Sequence, residues 1–85
     1  MQRILIVDDD KAIQKALRRL FESEGYLVDV LGNGKAALDQ YQCIAPSVIV
    51  LDLQLPLVSG QEVCREIRRK SSNVPIVVIL SLIHI

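Results

Sequence analysis

Aromatic residues are scarce in this chain: it has no tryptophan, one phenylalanine and two tyrosines. Aliphatic side chains must therefore build its core. It has two cysteines, Cys43 and Cys64, far apart and without metal-ligand spacing. That excludes a disulfide framework, and both read as reduced, buried, small apolar residues. No excess of either charge is present, with ten Lys+Arg against ten Asp+Glu, which argues against a strongly basic nucleic-acid surface. Long apolar runs are missing too. The longest, Ile76 to Leu80, is far short of the roughly 18 residues of a membrane span. Met1-Gln2-Arg3 passes straight into a short apolar run with no signal-peptide pattern, so no membrane role and a cytoplasmic location are expected.

What is present is a chain of 85 residues, 51% hydrophobic and 24% charged, the composition of one domain with a packed core. A domain this short buries little more than about 60% of its unfolded surface.

Arg3 to Val7 (R-I-L-I-V) is a β-branched apolar run, the signature of a strand buried on both faces. Ile13, Ala16, Leu17, Leu20 and Phe21 then repeat at helical spacing. Asp9 or Asp10 is placed to cap that helix and Gly25 to end it. Tyr26 to Val30 reads as a second strand, Lys35 to Tyr41 as a second helix and Ser47 to Leu51 as a third strand. Gly60 to Lys70 reads as a third helix that buries Val63, Cys64 and Ile67, and Ile76 to Leu80 as a fourth strand. Strands alternating with helices predict right-handed crossovers and a parallel sheet with helices on both faces.

Two strands run into acids: the first into Asp8 and Asp9, the third into Asp52. Ligands of open parallel sheets sit at the carboxyl ends of strands, where the strand order switches. If these strands are neighbours, three carboxylates meet at one edge, an arrangement that protons or a cation must relieve. Hard oxygen ligands suit Mg²⁺, and a carboxylate beside the metal suits nucleophilic capture of a phosphoryl group. The plainer reading of Asp8 to Asp10 is an N-cap with helix-dipole acids. Asp52, directly after an apolar strand, is harder to explain that way.

The segments I-L-I-V-D-D-D, G-N-G-K-A-A-L, V-I-V-L-D-L-Q-L-P-L-V-S-G and V-P-I-V-V-I, in this order and spacing, resemble a response-regulator receiver domain across residues 2 to 79. The resemblance implies a flavodoxin-like, doubly wound α/β sheet of strand order 2-1-3-4, with the family's fifth strand and last two helices missing. It implies that Asp52 is the phosphoacceptor and that Asp8 and Asp9 position Mg²⁺, Asp9 more directly. The backbone carbonyl of Gln54 would join them on the metal, and Pro56 and Gly60 would shape the loop after Asp52. The implied partner is a sensor histidine kinase docking on the first helix, Ala12 to Phe21. An output domain would follow in a full-length parent, its nature unread. Such a module is a switch in two-component signalling, not an enzyme. Ser59 stands where many members carry Asp, and little effect is expected from it.

The resemblance breaks at the fourth strand. Leu80 holds the position where the family places Thr or Ser, and Ser81 comes one residue late, on the opposite face. Residues 1–79 are thus read as a truncated receiver and residues 80–85 as a non-native tail such as adapter read-through; His84 falls in that tail. The fourth strand is expected to be an exposed apolar edge, with one sheet face short of a covering helix. Such a chain is expected to be marginally stable and poorly phosphorylated alone. Arg65, Arg68, Arg69 and Lys70, interleaved with Glu62 and Glu66, read as a solvated helix face. The alternative function is a haloacid-dehalogenase-like phosphatase fragment in which Asp8 attacks and Asp10 is acid/base. It leaves D-L-Q-L-P and the following Gly unexplained. A third reading is a non-catalytic interaction module of the same fold.

Overall fold

The computed structural model describes residues 2–70 and 73–79. Its elements run β1 (Arg3–Val7), α1 (Lys11–Ser23), β2 (Leu27–Leu31), α2 (Gly34–Ile44), β3 (Val48–Asp52), α3 (Gly60–Arg69) and β4 (Ile76–Ile79). The four strands form one sheet in the order β2-β1-β3-β4, and every pairing is parallel. The alternating pattern therefore folds as expected. The expectations for Leu80 to Ile85 lie outside the described residues.

Strand alternation sorts the apolar runs onto two faces. Leu5, Val7, Ile49 and Leu51 join Ala37, Tyr41, Val63 and Ile67 in a fully buried cluster beneath α2 and α3. Ile4, Ile6 and Val50 face the other way, toward Leu17 and Phe21 of α1. Here the cover is thinner. Helix α1 buries no residue completely, and Leu20 is 54% exposed. An apolar groove of about 400 Å³ lies open between Leu17, Phe21 and Tyr26 and the strand residues Val48, Val50, Val77 and Ile79. Val77 and Val78 are about half exposed on β4, as the sequence predicts for that edge.

Element ends follow local chemistry. Asp10, not Asp9, caps α1, its carboxylate accepting from the amides of Ala12 (2.8 Å) and Ile13 (3.2 Å). Gly25 takes φ +92° just past the helix, a conformation that costs an L-residue about 1–2 kcal/mol. Tyr26 belongs to this turn rather than to β2, because its amide donates to the Phe21 carbonyl. Helix α2 runs beyond Tyr41 to Ile44. Cys43 corrects an expectation: it is exposed, whereas Cys64 is half-buried. The buried stripe of α2 runs through Ala37 and Tyr41, and Cys43 projects from the opposite side. Ser59, expected to matter little, caps α3 by accepting from the Glu62 amide at 3.2 Å. The basic residues of α3 are exposed as expected. Arg69 grips Glu66 through two bonds of 2.8 and 2.7 Å, which holds the Glu66 carboxyl below its ordinary range.

Candidate functional site

Register builds the site. Val7 of β1 pairs with Leu51 of β3, so the next residues, Asp8 and Asp52, lie side by side at the carboxyl end of the sheet. By alternation both share the side of Ile6 and Val50. β1 lies between β2 and β3, so this edge is also where the strand order switches. Asp52 is a strand residue, paired with Ile79, and not the residue after the strand. Asp8 and Asp52 are both fully buried, while Asp9 is exposed.

Carboxylate oxygens of Asp8, Asp9 and Asp52 all lie within 4.8 Å of one another. Asp10, adjacent in sequence, turns to its own helix. Two of the trio have one oxygen anchored by a turn two residues ahead. The Asp10 amide donates to Asp8 Oδ1 at 2.9 Å and the Gln54 amide donates to Asp52 Oδ1 at 3.0 Å. The second Asp8 oxygen, Oδ2, is buried and accepts no hydrogen bond among the described residues. Burial pushes the Asp8 carboxyl above its ordinary range, the Asp10 amide partly opposes this, and the charges of Asp52, Asp9 and Asp10 add to the rise.

An unpartnered buried carboxylate oxygen beside two further carboxylates is unfavourable in the bare protein. Three carboxylates so placed could hold a hard divalent cation. The oxygen-only chemistry of the three carboxylates fits Mg²⁺.

The loop after Asp52 is held close. A side-chain carbon at Gly60 would collide with the Asp52 carbonyl oxygen and come within 2.6 Å of the Leu53 Cα. The Gly60 amide donates to the Leu53 carbonyl at 3.2 Å. Gly60 therefore sets the backbone of the acid itself. In the same loop Leu57 adopts φ +70° and is 84% exposed. Its sequence context, Pro56-Leu57-Val58, carries no sign of a left-handed residue.

Sequence reading also missed Gln14. Its side-chain amide donates to the Asp8 carbonyl, tying α1 to the acidic turn. Four-residue spacing from Asp10 was the available signal.

The comparisons agree with this geometry. The response regulator receiver domain family matches residues 4–82. The response regulator MprA of Mycolicibacterium vanbaalenii is 42% identical over 77 residues, covering 91% of this chain and 33% of the relative. The chain thus spans about one third of the length of the curated relatives it matches. Response regulator TrrA of Thermotoga maritima, solved in complex with Mg²⁺–BeF, superposes with a TM-score of 0.91 at 36% identity, over 99% of this chain and 73% of that one. The structure of histidine kinase ThkA in complex with TrrA matches with a TM-score of 0.89 at 36% identity, over 99% of this chain and 72% of that one. With residues 4–82 matched and the same parallel sheet in place, this chain belongs to the response regulator receiver domain family of two-component signalling.

Proposed function

We propose that this chain is a phosphoacceptor module in which Asp52 takes a phosphoryl group from the phosphohistidine of a sensor histidine kinase. An Asp52 carboxylate oxygen attacks phosphorus, the P–N bond breaks and the histidine nitrogen keeps the electron pair. The product is an acyl phosphate on Asp52. Asp8, Asp9, Asp52 and the Gln54 carbonyl would hold Mg²⁺, which supplies positive charge against the transferring group. The Asp8 carboxylate, fixed by the Asp10 amide, offers its other oxygen to the cation. The exposed Asp9 supplies a ligand from the solvent side. The Gln54 amide fixes one Asp52 oxygen and so orients the carboxylate that attacks phosphorus.

The observation that carries this reading is the meeting of three carboxylates within 4.8 Å at adjoining strand ends, two of them fully buried. The Mg²⁺–BeF complex of TrrA and its complex with a histidine kinase support the metal and the donor. The matched relatives are about three times as long, in keeping with an output function elsewhere in a parent protein. A cytoplasmic setting follows from the proposed kinase partner. The domain acts as a switch, its slow self-hydrolysis resetting it.

The phosphatase-like alternative needs Asp10 as acid/base, but its Oδ1 already accepts two amides as the cap of α1. Incubation with a small acyl-phosphate donor and Mg²⁺, read by intact mass, tests the choice. One Mg²⁺-dependent phosphoryl group that accumulates slowly and disappears in Asp52→Ala is expected. Label that survives Asp52→Ala and disappears in Asp8→Ala would overturn the reading.

A further inference from the structure

Resting on the metal-site reading above, we infer that Gln14 is a positioning residue for the acidic cluster. Asp8 is fixed at three points. Its amide donates to the Leu31 carbonyl at 3.1 Å, its Oδ1 accepts from the Asp10 amide at 2.9 Å, and its carbonyl accepts from the Gln14 side chain. The first contact belongs to the strand ladder and the second to the turn. Only the third depends on a side chain outside the acidic run.

That bond orients the peptide plane between Asp8 and Asp9. Asp9 is exposed, so the aim of its carboxylate depends on that plane. Gln14 is itself well placed: its amide donates to the Asp10 carbonyl at 2.9 Å, in the first turn of α1, and side chains there lean toward the helix start. A carbon added at Gly32 would lie 3.8 Å from Gln14 Nε2, so the β2–α2 loop passes close by and limits the side chain's alternatives. Helix α1 buries nothing completely. Its tie to the site is thus a directed polar bond. Groups of this kind, outside the ligand set, typically alter metal affinity by about 10–100-fold when removed.

The test uses the full 85-residue chain and Mg²⁺ alone, titrated by amide NMR at Asp8 to Asp10, with melting temperature measured in parallel. Gln14→Met keeps length and helix propensity but removes the donor, while Gln14→Arg restores a donor of similar reach. We expect Gln14→Met to weaken Mg²⁺ binding about tenfold, and Gln14→Arg to return it to within about twofold of the parent. A Gln14→Met chain that binds Mg²⁺ like the parent, whatever its melting temperature, overturns the inference and leaves the metal site standing. Failure of the parent chain to bind Mg²⁺ there overturns the site reading and the inference with it. Asp9→Asn, expected to lose binding, separates these two results.

Discussion

On one face of the sheet α2 and α3 press on a closed cluster that includes Leu5, Val7, Ile49, Leu51, Val63 and Ile67, all fully buried. On the other, among the described residues α1 is the helix lying over Ile4, Ile6 and Val50, with an open groove along β3 and β4. The strands supply similar side chains to both, so the difference comes from the helices. Two helices shut a face; one leaves Leu20, Val77 and half of its own stripe in water. Stability therefore comes mainly from the α2–α3 face. The acids at the strand ends lie on the α1 side, where the Gln14 bond to the Asp8 carbonyl adds to the packing of Leu17 and Phe21.

This asymmetry can be broken most sharply by truncating matched positions. Ile67→Ala, in the closed cluster, should cost about 3 kcal/mol, the usual price of a large-to-small change in a packed core. Leu17→Ala, on the open face, should cost about 1 kcal/mol. Urea denaturation of both variants measures the contrast, and equal losses would abolish it. Gly60→Ala comes next. Its added methyl meets the Asp52 carbonyl and Leu53, so a loss of about 2 kcal/mol is expected from overpacking. Asp52 labelling should fall by more than the folded fraction does, because the acid's own backbone is displaced. The smallest effect is expected at Leu57, outside both faces. Leu57→Gly relieves a left-handed backbone at the expense of unfolded-state entropy, a net gain of about 0.5 kcal/mol. A loss of stability would show that the exposed side chain makes contacts that matter.

Much of this was readable in the sequence. The runs I-L-I-V and V-I-V-L carry the β-branched signature of buried parallel strands, and the pairing of Val7 with Leu51 then sets Asp8 beside Asp52. Helical spacing correctly marked the stripe of α1 but not its depth. Whether Leu20 is covered depends on how many helices share the face, which no local pattern encodes. Cys43 was misread because composition says what cysteine prefers, whereas its phase relative to Ala37 and Tyr41 turns it outward. The Gln14 bond was hinted at only by its spacing from Asp10, because whether the side chain meets the Asp8 carbonyl six residues back depends on how the turn between β1 and α1 folds. Leu57 hides its backbone angle because nothing in its residue type asks for it. Which of Asp9 and Asp10 caps α1 also needed the structure, where the Asp10 carboxylate takes the Ala12 and Ile13 amides.

On the proposed reading, the Asp8 carboxylate is disfavoured first by its burial and then by the charges of Asp52 and Asp9, and a bound cation relieves both. The most direct test of this central claim is the melting temperature of the parent chain and Asp8→Asn, with and without Mg²⁺. Asn keeps the oxygen that accepts from the Asp10 amide and removes the charge. The folded Asp8 carboxyl titrates above its unfolded range, so its contribution to stability is present at acid pH and is lost as pH rises through the folded value. Without metal, Asp8→Asn should therefore melt roughly 4 °C higher than the parent at neutral pH, and the gap should close at pH below the ordinary carboxylate range. Mg²⁺ should raise the parent's melting temperature, since it binds only the folded form, and leave Asp8→Asn nearly unmoved. A parent chain indifferent to Mg²⁺, or an Asp8→Asn chain less stable than the parent at neutral pH without it, would contradict the account.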